Sequence, residues 1–271
     1  MNREELHAYI QNAILVGNTH SAHDILSKII SKIPELDRVD LFIDNWVTFD
    51  FFSAANDSVE LDGMYFKKQG DKIMLTGCVS TYKVINLGDA VDEIGPCAFL
   101  WNIDVKRIIA KAVTTIGKHC FTKSSVVYAD FPKLKVMGEE AFSFSDIRKI
   151  NIPSAIHISK AGFVCCSNLR TINAQNVRWI SIAAFDECFN LIETKFDSVE
   201  FVGEYAFVGC KSLKKFNTTK LKAMSHIAFF NKTWKHFIGA STIHFSIKDK
   251  YRMYMAIRKE RKTPLVYAPS L

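Results

Sequence analysis

The stretch Val202-Gly203-Glu204-Tyr205-Ala206-Phe207-Val208-Gly209-Cys210-Lys211-Ser212-Leu213 is one copy of a unit that the chain writes seven times. Its phenylalanine recurs as Phe99, Phe121, Phe142, Phe163, Phe185, Phe207 and Phe229, at intervals of 22, 21, 21, 22, 22 and 22 residues. Five residues before each Phe stands Ile94, Ile116, Met137, Ile158, Ile180, Val202 or Met224, and a Gly or Ser follows it directly. A small residue (Ala, Gly or Cys) immediately precedes the Phe. Another side chain, mostly aliphatic, comes five or six residues after it, at Val105, Val126, Ile147, Leu169, Leu191, Leu213 and Trp234. Self-similarity at a fixed period of about 20–50 residues is the mark of a stacked-repeat architecture.

A unit of this length holds one short strand and one turn or short helix, too little to bury its own apolar side. Stacked neighbours bury it together, which is why several copies are needed. The recurring Phe is expected to form a column behind the strands, and the strands to lie about 4.8 Å apart in a parallel sheet. The small residue before the Phe is expected to let successive turns approach closely. The Gly or Ser is expected to permit a tight turn, Gly because it tolerates positive φ.

The pattern resembles the BspA-like leucine-rich-repeat family, whose consensus runs roughly Ile-Gly-x-x-Ala-Phe-x-x-Cys-x-x-Leu-x-x-Ile-x-Ile-Pro. The twelve residues quoted above follow its first half, and Ile147-Arg148-Lys149-Ile150-Asn151-Ile152-Pro153 follows its strand half. The resemblance covers about residues 60–240. It implies an α/β-repeat, leucine-rich-repeat solenoid with a parallel concave sheet. It also implies an interaction protein, since family members bind other molecules and many sit on cell surfaces.

Outward from the repeats, Leu6, Ile10 and Ile14, then Ile25, Leu26, Ile29, Ile30 and Ile33, recur at three- and four-residue spacing. This predicts two helices broken near Gly17-Asn18-Thr19, with Pro34 ending the second. Residues 36–52 read as a third helical or mixed segment. The division expected is 1–56 as a helical N-terminal cap or accessory domain, 57–240 as the solenoid, and 241–271 as a basic C-terminal cap. Within 59–88, Met64–Lys67 and Lys72–Thr76 flank Lys68-Gln69-Gly70-Asp71 as a hairpin, and Val84 to Leu87 supplies an opening strand. Residues 248–262 carry 7 basic and 2 acidic residues, a basic capping helix or an electrostatic arm.

The net charge of +7 is unevenly spread. Residues 1–75 hold 7 Lys/Arg and 12 Asp/Glu, and residues 76–271 hold 28 and 16, so an acidic front joins a basic body. The start Met-Asn-Arg-Glu-Glu has the wrong charge for a signal peptide, and the longest apolar run near it, Ala13 to Gly17, is far short of a membrane span. Seven cysteines without a paired framework read as free thiols. A cytoplasmic, intracellular protein is the expectation.

In a Leu-x-x-Ile-x-Ile strand the side chains alternate between core and open face. Three columns should therefore line the concave sheet. The middle one reads Arg107, Tyr128, Lys149, Thr171, Glu193, Lys215, His236. Its N-terminal neighbour reads Lys106, Val127, Arg148, Arg170, Ile192, Lys214, Lys235, and the other reads Ile109, Asp130, Asn151, Asn173, Lys195, Asn217, Ile238. Lys106, Arg107, Tyr128, Arg148, Lys149, Arg170, Lys195, Lys214, Lys215, Lys235 and His236 are the candidate partner-binding residues. With Asp130 and Glu193 as the acidic exceptions, such a face favours an acidic macromolecule.

Catalytic signatures are missing: no Gly-x-Gly-x-x-Gly, no Gly-x-x-x-x-Gly-Lys-Ser/Thr, no His-Glu-x-x-His, no Gly-x-Ser-x-Gly. His20 and His23 lie three apart without ligand partners in register. Cys166, Cys188 and Cys210 recur three residues after their Phe, as buried small residues do. Neither enzymatic activity nor a metal or other cofactor is expected. The reading is a non-enzymatic scaffold that binds an acidic protein partner, with a host-directed or inhibitory role open to a compact array of this kind. Nucleic-acid binding by the basic body and tail is the alternative, although Tyr128 is the one aromatic residue in those columns, which gives little of a stacking platform. A cell-surface adhesin is a third reading. No association with a membrane is expected.

Overall fold

The computed structural model describes residues 2–33 and 53–229, apart from 215, 218 and 226. Residues 36–52 and the basic tail, both singled out in the sequence, lie outside these, as do the candidate positions Lys215, Lys235 and His236.

Each turn of the repeat contributes two short strands. The front strands Val84–Gly88, Arg107–Ala110, Tyr128–Asp130, Lys149–Asn151, Thr171–Asn173 and Glu193–Lys195 form one six-stranded parallel sheet in chain order. On the opposite side run two-residue strands. Glu93–Ile94, Thr115–Ile116 and Val136–Met137 pair in one row, and His157–Ile158, Trp179–Ile180, Phe201–Val202 and Ala223–Met224 in another. Between back and front strands the chain makes tight turns, with no helix among the described residues of the repeats. The sequence left open a turn or a short helix for this half of the unit, and the turn is what forms.

The seven phenylalanines stand in a continuous column. Adjacent ring centroids are 4.8, 4.7, 5.2, 5.2, 5.2 and 4.7 Å apart, with planes within 14° of parallel. All seven are at most 1% exposed. Phe131 and Phe196 fill the same core from the front sheet, tilted 42° and 51° against the column. Each Phe N–H donates to the carbonyl of the residue before the next Phe, from Phe99 to Cys120 O (2.7 Å) through Phe207 to Ala228 O (2.8 Å). The turns are thus a hydrogen-bonded ladder in their own right, and the buried backbone there is satisfied from turn to turn.

One expectation needs correction. The Gly or Ser after the aliphatic residue does not carry positive φ. That conformation falls on two other positions in each turn. Cys97, His119, Glu140, Ala161, Ala183 and Tyr205 have φ of 51–57°, and Trp101, Lys123, Phe144, Cys165, Glu187 and Gly209 have φ of 53–73°. The Gly position is restricted by space instead. A Cβ on Gly117 would lie 2.3 Å from Pro96 N, and one on Gly138 would lie 2.4 Å from Gly117 C. Where Ser replaces Gly its hydroxyl is used, as in Ser159 Oγ donating to Gly138 O at 2.6 Å.

At the N-terminal end, α1 (Arg3–Leu15) and α2 (Ala22–Ser31) each begin with a capping box, Asn2 with Glu5 and Ser21 with Asp24. Gly17, at φ 71°, follows the end of α1. Helix α1 buries Leu6, Ile10 and Ala13 in the same core as the repeats. Helix α2 places Ile25 and Ile29 with Tyr65, Leu100 and Trp101. Arg3 grips Asp92 with both guanidinium nitrogens at 2.7 and 2.9 Å. The hairpin formed by β1 (Val59–Leu61), β2 (Met64–Gln69) and β3 (Lys72–Cys78) is antiparallel, with the two-residue turn Gly70-Asp71. Strand β3 then pairs in parallel with Glu93–Ile94 and so starts the back row.

Two stability predictions follow from this packing. Phe163→Ala removes a ring from mid-column and should cost about 3–5 kcal/mol in denaturant unfolding. Gly117→Ala overpacks backbone against backbone and should cost roughly 1–3 kcal/mol, seen as a lowered melting temperature.

Candidate functional site

The front sheet is built so that alternate residues of each strand reach its open face. Its register matches the columns expected from sequence. Arg107 pairs with Tyr128, Tyr128 with Lys149, Lys149 with Thr171, and Thr171 with Glu193; two residues on, Asp130, Asn151, Asn173 and Lys195 align likewise. Between these positions Ile108, Ala129, Ile150 and Ile172 are buried.

The third column lies elsewhere than expected. Lys106, Arg148, Arg170 and Ile192 precede their strands by one residue and sit at the corner where the chain enters the sheet. Two consecutive exposed residues occur at several of these corners, Lys106 with Arg107, Arg148 with Lys149 and Ile192 with Glu193. Simple alternation fails there because both N–H groups turn to one carbonyl of the preceding turn. Arg148 N and Lys149 N both donate to Val127 O, at 2.8 and 3.2 Å, and Arg170 N and Thr171 N both donate to Arg148 O, at 2.9 and 3.2 Å. The corner row therefore forms the rim of the face.

A groove of about 270 Å³ crosses the middle of the sheet, lined by Tyr128, Lys149, Asn151, Thr171, Asn173, Glu193 and Lys195 among others. Its floor carries an amide ladder: Asn173 Nδ2 donates to Asn151 Oδ1 and Asn151 Nδ2 to Asp130 Oδ1, both at 2.7 Å. Asn173 Oδ1 is buried without a hydrogen-bond partner among the described residues. Tyr128 is covered on one ring face by the Arg107 guanidinium, 4.4 Å from the centroid.

Of the candidate residues, Tyr128, Lys149 and Lys195 meet in the groove, with Arg107 stacked on Tyr128. Lys106, Arg148, Arg170 and Lys214 are exposed on the rim positions. Thr171, Asn151, Asn173 and Glu193 join the groove although they were not singled out. Their places in the columns were the available signal, and their polarity without net basic charge hid it.

Some cations elsewhere are paired with carboxylates. Arg3 meets Asp92, Lys72 meets Glu93, Lys83 meets Asp104, and Glu200 takes both Arg178 (2.8 Å) and Lys222 (2.6 Å). Lys106, Arg107, Arg148, Lys149, Arg170, Lys195 and Lys214 have no carboxylate partner among the described residues. On the back row, hydrogen bonding from Arg178, reinforced by Lys222, holds Glu200 at about 2, below the ordinary 4.5. A depressed carboxylate stabilises the fold above its unfolded value and ceases to do so as pH falls through the folded one. Glu200→Gln should therefore lower the melting temperature at pH 7, and the gap from wild type should close between about pH 5 and pH 2.

The cysteine column has a structural use. Cys166, Cys188 and Cys210 donate from Sγ to Phe142 O, Phe163 O and Phe185 O, at 2.8, 3.0 and 3.0 Å. All seven cysteines are free, and burial pushes the Cys166 thiol up to about 12. Among the described residues no group of three His, Cys, Asp or Glu is placed to hold a metal. No described helix is long and apolar enough to cross a membrane.

The family model for the BspA type leucine rich repeat region matches residues 73–192 and 135–250, in six copies. A leucine-rich repeat protein from Eubacterium ventriosum superposes with a TM-score of 0.54 at 14% identity, over 74% of this chain and 57% of that one. The T. pallidum leucine rich repeat protein gives 0.48 at 21% identity, over 57% of this chain and 90% of that one. The chain thus spans little more than half the length of the Eubacterium protein. No curated protein matches it.

Proposed function

Because the chain belongs to the BspA-type leucine-rich-repeat family, whose solenoids are in general protein-binding scaffolds, we propose that it binds an acidic protein surface through the open face of its front sheet. The observation that carries this reading is the set of cations on that face without carboxylate partners. A sheet face of like charges is costly to hold together, and an acidic partner relieves that cost while steering encounter. The groove supplies hydrogen-bonding groups between the charges. Solenoids present such extended faces to partners because each turn adds another row of side chains.

The reading includes no catalytic step. The helical segment acts as a cap on the first turn, since α1 shares one core with the repeats. The seven free thiols fit a reducing compartment, and a host-directed role remains compatible with this scaffold.

The test is affinity capture from a lysate of the source cells, with and without nuclease, beside a variant carrying Arg148→Glu, Lys149→Glu, Arg170→Glu and Lys195→Glu. All four side chains are exposed, so the variant should fold. A defined protein that survives nuclease and is lost with the variant is the expected result, with capture weakening as salt rises. Equal capture by both forms would exclude the front face, and recovery of nucleic acid alone would replace the protein partner.

A further inference from the structure

The rim row has an order of its own. Turn by turn it reads Lys106, Val127, Arg148, Arg170, Ile192, Lys214: a basic residue, an apolar one, two arginines, an apolar one, a basic one. The first five members are joined in turn by backbone hydrogen bonds, Val127 N to Lys106 O (2.8 Å), Arg148 N to Val127 O (2.8 Å), Arg170 N to Arg148 O (2.9 Å) and Ile192 N to Arg170 O (3.0 Å), and Lys214 holds the equivalent place one repeat further on. Their spacing is therefore that of paired strands, about 4.8 Å. Ile192 is 54% exposed, Val127 is half-buried, and the four cations are exposed.

Two features stand out. Arg148 and Arg170 occupy adjacent turns with no carboxylate partner among the described residues, although planar guanidinium groups are suited to grip one carboxylate from two sides. The row is also symmetric about the midpoint of that pair. Val127 and Ile192 lie about 7 Å to either side along the stack, and Lys106 and Lys214 about 12 Å. An extended peptide returns to the same face every two residues, about 6.6–6.8 Å, and every four, about 13 Å. The two periods coincide within the reach of the side chains.

We propose that this row reads an extended peptide segment of its partner, laid along the solenoid axis, with the pattern acidic-x-apolar-x-acidic-x-apolar-x-acidic. The central carboxylate sits between Arg148 and Arg170, the apolar side chains lie on Val127 and Ile192, and the outer carboxylates meet Lys106 and Lys214. This rests on the acidic-partner reading above and adds the register. A nucleic-acid strand fits less well. Val127 and Ile192 interrupt the positive row, and Arg107 already covers one face of the Tyr128 ring.

The experiment measures fluorescence anisotropy with the full chain and a labelled nine-residue peptide. The peptide carries glutamate at its first, fifth and ninth positions, leucine at the third and seventh, and serine between. A scrambled peptide of equal composition and an oligothymidine of similar length are the comparisons. The patterned peptide should bind at least about tenfold more tightly than the scrambled one. Arg148→Lys with Arg170→Lys keeps the charge but removes the fork, and Val127→Ser with Ile192→Ser keeps the charge but removes the apolar contacts. Each pair should abolish that preference. Equal binding of the two peptides, or a preference unchanged in either variant, overturns the row reading. If Arg148→Glu with Arg170→Glu still weakens both peptides in that case, the acidic-partner reading survives without the register. Tighter binding of oligothymidine than of both peptides overturns both.

Discussion

The hydrogen bonds between successive turns set the geometry on which everything else depends. They link front strands, back strands and the intervening turns, and they hold neighbouring turns about 4.8 Å apart. The phenylalanine rings, 4.7–5.2 Å apart at their centroids, stack at the same spacing. So does the close approach at Gly117 and Gly138, where a methyl group has no room. A repeat length of 21 or 22 residues can vary by one only because the extra residue is taken up between these fixed contacts.

Stacking also dictates what a core position must be. Every inward side chain faces its equivalents one turn before and after, so a buried polar group meets its own kind. The Cys166, Cys188 and Cys210 column avoids this conflict by donating to backbone carbonyls of the preceding turn. Size is balanced locally as well. Ala129 is followed two residues later by Phe131, and Thr194 by Phe196, with both phenylalanines buried. The larger neighbour fills what the smaller leaves, as dense interior packing requires.

On the surface the same repetition turns single residues into rows. Amides become a ladder from Asp130 to Asn173. Carboxylates and cations become either a compensated chain, as in Arg178, Glu200 and Lys222 on the back, or an uncompensated one, as on the rim. On the front, the rows leave their cations open to a partner.

Much of this was legible in the sequence. Six regular Phe intervals determine the repeat, the column and the front-sheet register, because a period carried through seven turns leaves no freedom to slip by a residue. Helices α1 and α2 and the hairpin could likewise be read from apolar spacing, the break near Gly17 and the turn at Gly70. Other features needed the tertiary structure. Positive φ falls on Cys97, Lys123 or Glu187, residues with no special preference for it, because neighbouring turns impose the conformation. The corner placement of Arg148 and Arg170 depends on two N–H groups sharing one carbonyl, which strand alternation does not foresee. The stacking of Arg107 on Tyr128 and the buried, unpartnered acceptor of Asn173 depend on side-chain directions. Local pattern determines which residues share a row; the backbone contacts between turns decide where that row points and what it leaves unpaired.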